Sequence, residues 1–363
     1  MLVTAGGGTR ALAWLQGVAG ASRTLLEGLV PYAAAAFDDF LGQTPGQYVA
    51  ADTGRMLAGR ALTRARWLQP PGPALGLACT ATLATDRPKR GEHRAHIAGW
   101  RAAKALCASV YLEKGARSRA EEEEVVSRLL MNVLLSLYDL EPTLSLPLRG
   151  GDQLEKEEIL FEPPARRLQR GQSACFAILS DGRLWREPGA PAPLLLSGAF
   201  NPLHEGHLAL ARAAEEYTGK SLAFELAARN VAKPALEVET ILERMAQFAG
   251  RWPVIASRAP TFDEKALLYP GVTFVVGYDT ATRVIQPRFY EGSVEKMRSA
   301  LDTIRARGCS FLVAGRVTDA GRYRTVETLT PPEGFADLFQ PLPGFRYDRS
   351  STEIRRTGQR GSR

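Results

Sequence analysis

Leu194-Leu195-Leu196-Ser197-Gly198-Ala199-Phe200-Asn201-Pro202-Leu203-His204-Glu205-Gly206-His207-Leu208 is the stretch that decides the fold. The leucines read as a buried strand and Ser197-Gly198-Ala199 as a tight glycine turn; a helix begins near Glu205. That order aims backbone N–H groups and a helix N-terminus at one spot, which attracts anions. His204 and His207 are two of the chain's four histidines. Three residues apart on the first helical turn, they can face the same anion. Phosphate chemistry is the natural use. A lone His-x-Gly-His also suits a metal pair or two surface histidines. Its setting in Gly-x-Phe-x-Pro, directly after a strand, favours phosphate.

Outward from this stretch the C-terminal part alternates strand and helix. Strands are expected at 222–226, 254–256, 273–277 and 310–314. Helices are expected at 237–250, 261–269 and 293–307. The alternation predicts a parallel α/β sheet with crossover helices. The tail after Arg356 is expected to fray. The N-terminal part also alternates, with a helix at about 9–20 and strands at 75–80 and 108–112. A long helix there is opened by Ser118, with Glu121 three residues on in a capping box. Its apolar stripe is Val126, Leu129, Leu130, Val133, Leu134 and Leu137. Glu121 to Glu124 read as a solvated first turn favoured by the helix dipole. Between the two parts, Cys175–Leu179 and Arg183–Trp185 flank Ser180-Asp181-Gly182, a hairpin signal. The fold class is α/β with two α/β domains, 1–145 and 193–363, joined by a small β-rich connector at 146–192.

Lys and Arg number 46 against 39 Asp and Glu, a net charge of +7. That balance suits a polyanionic substrate such as ATP. The absence of any basic run interleaved with aromatics argues against nucleic acid. Cys79, Cys107, Cys175 and Cys309 are far apart, and the expectation is reduced thiols in a cytoplasmic protein, without a metal site. No run of eighteen apolar residues suggests a membrane span. The N-terminus lacks the charged region of a signal peptide.

Ser197 through His207 resemble the signature of the HxGH nucleotidyltransferase superfamily, whose members transfer AMP or CMP from a nucleoside triphosphate and release pyrophosphate. Phe274-Val275-Val276-Gly277-Tyr278-Asp279 ends a strand in Gly-x-Asp, which lies against the nucleotide in that superfamily. Gly277 would allow close approach and Asp279 would accept from ribose hydroxyls. A plain strand-end turn reads the same way. Ser350-Ser351-Thr352-Glu353-Ile354-Arg355 resembles the second signature, Ser-Ser/Thr-x-x-Arg. Its hydroxyls and forked guanidinium suit phosphate oxygens, although Ser350 and Glu353 also fit a capping box. Asn230-Val231-Ala232-Lys233-Pro234 and Glu243-Arg244-Met245 resemble the substrate side of mononucleotide adenylyltransferases. Lys233 either contacts phosphate or is solvated.

The resemblance spans about 193–356 and is to the nicotinamide/nicotinate mononucleotide adenylyltransferases. It implies transfer of AMP from ATP, with Mg²⁺, to a mononucleotide in NAD metabolism. His204, His207 and Arg355 would be catalytic. Ser197, Gly198, Phe200, Lys233, Gly277, Asp279, Ser350, Ser351 and Thr352 would bind substrate. The tryptophan that often stacks on nicotinamide in that family has no counterpart, which leaves the acceptor open. The alternatives are a nucleotide-binding regulator without turnover, or an adenylyl or cytidylyl transfer to another phosphorylated acceptor.

Residues 2–140 resemble the CinA C-terminal family of nicotinamide-nucleotide amidases, on Gly17–Ser22, Leu26–Tyr32 and Leu77–Thr80. Aligned on Gly20, the family's nucleophilic serine becomes Ala5 and its lysine becomes Phe37, while Tyr32 and Thr80 remain. Amide hydrolysis needs an activated nucleophile. The expectation is therefore a domain without amidase activity, serving homo-oligomeric assembly or nucleotide binding. Gly6-Gly7-Gly8-Thr9 reads as a strand–helix turn that could admit a phosphate.

Overall fold

Two sheets carry the chain in the computed structural model, which describes residues 1–69, 72–87, 89–229, 235–317 and 323–345. The chain divides into two units. One comprises Met1–Pro163, Ile178–Leu184 and Ala246–Arg251; the other takes Pro164–Ala177, Trp185–Met245 and the residues from Trp252 onward.

The first unit is built on a mixed six-stranded sheet. Its strands are β1 (Leu2–Ala5), β2 (Gly28–Leu29), β3 (Gly76–Thr82), β4 (His93–Arg101), β5 (Lys104–Leu112) and β6 (Gln153–Leu160). Their order is β2-β1-β3-β4-β5-β6. β1 runs parallel to β2 and β3, whereas β3 to β6 are antiparallel. The helices are α1 (Thr9–Gln16), α2 (Ala34–Leu41), α3 (Ala51–Leu68), α4 (Arg119–Leu137) and α5 (Glu162–Gln169), the last running on into the second unit. α1 stops short of residue 20 because Gly17 closes it and Gly20 turns left-handed at φ 84°. α4 covers one sheet face with Val126, Leu129, Leu130, Val133 and Leu137 buried and Leu134 partly so. It opens with the expected Ser118–Glu121 capping box. β6, inside the stretch expected as a connector, pairs with β5.

The second unit holds β7 (Cys175–Ile178), β8 (Leu184–Trp185), β9 (Leu194–Gly198), β10 (Leu222–Ala227), β11 (Val254–Ser257), β12 (Thr273–Gly277) and β13 (Ser310–Ala314). A two-stranded ribbon, β14 (Arg316–Val317) and β15 (Tyr323–Arg324), precedes β16 (Phe339–Leu342). The large sheet has the order β16-β13-β12-β9-β10-β11-β7-β8. From β16 to β11 every pairing is parallel. Its helices are α6 (Glu205–Thr218), α7 (Val238–Met245), α8 (Phe262–Leu268), α9 (Tyr278–Val284) and α10 (Val294–Ala306). β9 lies between β10 and β12, so the strand order reverses there, as in doubly wound nucleotide-binding sheets. One face buries Leu195, Ala223, Ile255, Phe274, Val276 and Phe311 against α8 and α10 residues Ala266, Met297, Leu301 and Ile304. α6 packs against β9, β10, β12 and β16. This is the expected parallel α/β unit, and its strand order is Rossmann-like. Among the described residues, no helix is long and apolar enough to cross a membrane.

One ion pair lies inside this sheet. Glu225 of β10 is fully buried and accepts from Ser257 Oγ and from Lys265 Nζ of α8, itself buried. Desolvating both charges is costly, so such a pair barely stabilises, but breaking it strands a charge. Lys265→Met alone should therefore lower unfolding stability by about 3–5 kcal/mol. The double variant Glu225→Leu/Lys265→Met should recover most of that loss. Denaturant midpoints of the full chain measure both, and equal losses in the single and double variants would refute the stranded-charge account.

Candidate functional site

Six residues carry the chain from the end of β9 to the start of α6. Gly198 ends the strand, and a Cβ there would stand 2.8 Å from two Phe200 ring atoms. Phe200 itself sits in the left-handed region at φ 42°. That conformation costs about 1–3 kcal/mol in a non-glycine residue. Burying the ring, which is 1% exposed, returns a similar amount, about 1.5–3 kcal/mol. The ring packs edge-on against His207 at 5.1 Å and Phe224 at 5.5 Å between centroids. This contact fixes the floor on which the histidines rest.

His204 is the extended residue that caps α6, and His207 lies one turn in. Their rings lie against each other at a tilt of 31°, with centroids 3.7 Å apart. The His204 backbone N–H donates to His207 Nδ1 at 3.3 Å. With Nδ1 accepting, the neutral His207 ring carries its proton on Nε2, which is left to donate. Burial, with His204 alongside, pushes the His207 pKa down to about 3. The imidazole is therefore uncharged until an anion stabilises its protonated form.

Gly277 ends β12, next to β9, in ordinary extended geometry at φ −78°. Among the described residues, a Cβ on it would meet nothing within 4 Å. Asp279, two residues on, is half exposed and accepts from Arg316 Nη1. Ser197 Oγ is buried without a partner among the described residues. Arg244 Nη1 donates to the Ala199 carbonyl at 3.1 Å, and burial lowers its pKa. The structure thus gathers Ser197, Gly198, Phe200, His204 and His207 into one turn, with Gly277 and Asp279 at the end of the adjacent strand. Lys233, Ser350, Ser351, Thr352, Arg355 and the tail after 356 lie outside the described residues. The Asp279–Arg316 contact was not legible in the sequence, because only the pairing of β13 with β12 brings the two together. Among the described residues, no three His, Cys, Asp or Glu side chains gather to hold a metal.

The first unit has its own strand–glycine–helix turn after Ala5, with Gly6 and Gly8 left-handed at φ 79° and 84°. Its anion position is filled from within the chain. Glu123 Oε1 accepts from the Thr9 N–H at 2.6 Å, the Thr9 hydroxyl at 3.0 Å and the Arg10 N–H at 3.3 Å. Glu122, fully buried, takes His93 Nδ1 at 2.6 Å and the Ala84 N–H at 2.6 Å. This corrects the reading of Glu121–Glu124 as a solvated turn: the two middle glutamates face inward and satisfy distant donors. Thr80 is buried and donates to the Tyr48 carbonyl at 2.8 Å. Phe37 is buried against Tyr48, whereas Tyr32 is 76% exposed.

The depressed His207 pKa has a pH consequence. Between about pH 3 and the ordinary 6.5, the unfolded chain binds a proton that folded His207 refuses. Stability from this group is therefore fully present above about pH 6.5 and is lost as pH falls toward 3. His96, lowered to about 4 chiefly by burial, acts with the same sign. His207→Gln should flatten the acid limb of a stability-versus-pH curve, with His96 leaving a residue of the slope. An NMR titration placing wild-type His207 near 6.5 would contradict the burial.

Residues 195–357 match the family described as Cytidylyltransferase-like. No curated protein matches the chain. The match begins in β9, takes in the His204–His207 turn and runs through every later strand of the parallel sheet. The C-terminal part of this chain is accordingly a cytidylyltransferase-like domain of the HxGH nucleotidyltransferase superfamily on a Rossmann-like sheet.

Proposed function

We propose that the C-terminal unit transfers AMP from ATP to nicotinamide or nicotinate mononucleotide, forming a dinucleotide and pyrophosphate in NAD metabolism. The observation that carries this is the close His204–His207 pair at the first turn of α6, after the strand next to the one that ends at Gly277. The acceptor's 5′-phosphate oxygen attacks the α-phosphorus in line. The bond to the bridging oxygen breaks, and pyrophosphate leaves with that electron pair. No covalent enzyme intermediate is needed, so the protein acts by positioning and by stabilising charge. His207 Nε2–H and His204 would donate to triphosphate oxygens. Ser197, Gly198 and Phe200 would shape the turn. Lys233, Ser350, Ser351, Thr352 and Arg355 would supply further phosphate contacts, and Asp279 a ribose contact. Mg²⁺ would arrive with ATP, held by phosphate oxygens and water.

The Ser-Ser-Thr-x-Ile-Arg form of residues 350–355 supports a mononucleotide acceptor. The family match favours a second reading, cytidylyl transfer to another phosphorylated acceptor. The first unit we read as CinA C-terminal-like and without amidase chemistry. Ala5 offers no nucleophile, and Glu123 occupies the anion position of α1.

Incubating the full chain with Mg²⁺ and either ATP or CTP, and with each mononucleotide, separates these readings. ATP-dependent dinucleotide is expected. His207→Ala and Arg355→Ala should each lose about 10²–10³ in turnover, with near-normal melting curves. Near-wild-type turnover in both variants would reduce the motifs to helix caps. Product from CTP alone would establish the second reading.

The same preparation should release no ammonia from nicotinamide mononucleotide above a buffer blank. Enzyme-dependent ammonia would overturn the reading of the first unit.

A further inference from the structure

We propose that Arg316 is a phosphate-binding residue of this site, held in reserve by Asp279 until a nucleotide takes both side chains. The proposal rests on reading the C-terminal unit as a nucleotidyltransferase. Gly277 of β12 and Ala314 of β13 are paired across the sheet. Asp279 and Arg316 each lie two residues beyond that pair, so both leave the carboxyl edge of the sheet at the same place. There Arg316 Nη1 donates to Asp279 Oδ2. Among the described residues, none comes within 4 Å of where a Gly277 Cβ would stand.

The backbone that delivers Arg316 is fixed. A Cβ on Gly315 would collide with the Tyr323 hydroxyl, which donates to the Phe345 carbonyl at 3.0 Å. The charged heads are less committed. Their side chains are 40% and 51% exposed, and an ion pair so wetted favours itself by only about 1.5–5-fold. A polyphosphate offers a guanidinium more charge and a better-matched fork of oxygens than one carboxylate does. On exchange, Arg316 would move to phosphate and Asp279 would accept from a ribose hydroxyl, so no charged group loses its partner. β13 lies two strand spacings from β9, about 10 Å. A triphosphate resting on His204 and His207 can meet a long arginine side chain over that distance.

Inorganic tripolyphosphate and ATP, each with Mg²⁺, test this by calorimetric titration of the full chain. Tripolyphosphate has no ribose, so it reads Arg316 alone. Arg316→Gln should weaken tripolyphosphate about tenfold or more. Asp279→Asn should tighten it about 1.5–5-fold by releasing Arg316. That gain should vanish in the double variant. With ATP, Asp279→Asn should gain less or lose, because the ribose contact goes with the carboxylate. If both single variants weaken tripolyphosphate and lower the melting temperature, the pair is a staple and the proposal is wrong. If the Asp279→Asn gain persists beside Arg316→Gln, Asp279 acts by general repulsion, and the exchange is refuted. Wild-type binding that Arg316→Gln leaves unchanged overturns this proposal and spares the transferase reading. Failure of the wild type to bind either probe overturns both.

Discussion

The reversal of strand order at β9 is the constraint on which the site depends. Parallel pairing sends the carboxyl ends of β9, β12 and β13 to one edge of the sheet. Crossovers leave β9 and β12 on opposite sides, so the turns that follow part and open a crevice. Ser197 to His207, Gly277 to Asp279, and Arg316 come from those three ends, and Arg244 reaches the first of them from α7. The buried leucines of β9 hold the register. Leu194, Leu195 and Leu196 are buried on alternate faces, and Leu194 pairs with Leu222 on one side and Thr273 on the other. A slip of one residue would exchange the faces of the strand and carry Ser197 and Gly198 with it.

Two strand–glycine–helix turns in one chain reach opposite electrostatic ends. After β1, the helix N-terminus binds the chain's own Glu123, whose oxygen satisfies two backbone N–H groups and a hydroxyl. That is structural use of an anion site: the charge comes from α4 and stays. After β9, the residues at the helix start are imidazoles instead. The two rings lie 3.7 Å apart between centroids, and burial holds His207 neutral. A carboxylate there would repel an anion, whereas the neutral His207 ring with its proton on Nε2 can donate first and gain charge afterwards. The difference between a closed cap and a receptive site comes down to which side chain another helix does or does not send there.

Local chemistry was legible in the sequence; distant pairing was not. The helix start at Glu205, the Ser118–Glu121 box and the parallel strands all follow from patterns a few residues long. α3 gave no comparable signal, because its buried face is made of Thr53, Gly54, Ala58, Gly59, Ala61 and Ala65 among two leucines, too small to mark a stripe. Glu122 and Glu123 carry no mark that separates them from a solvated acidic turn. Their partners, His93 and Thr9, are 29 and 114 residues away. Arg316 finds Asp279 across 37 residues for the same reason. The partners of the strands within 146–192 decide where they belong: β6 joins β5, and β7 and β8 extend the second sheet.

The two glycines at the mouth of the crevice are there for different physical reasons. Gly198 is required by contact, since any Cβ would press on Phe200 and through it on His207. Gly277 is required by neither backbone nor packing. Its φ of −78° is open to any residue, and among the described residues its missing Cβ faces nothing within 4 Å. Against those residues a side chain there would meet no steric cost and would remove the conformational entropy that glycine loses on folding. Stability alone would therefore favour a larger residue. What glycine preserves at that position is room at the end of β12, two residues before Asp279 and beside β9 in the sheet. The first glycine serves the protein's own core and the second serves whatever enters the crevice.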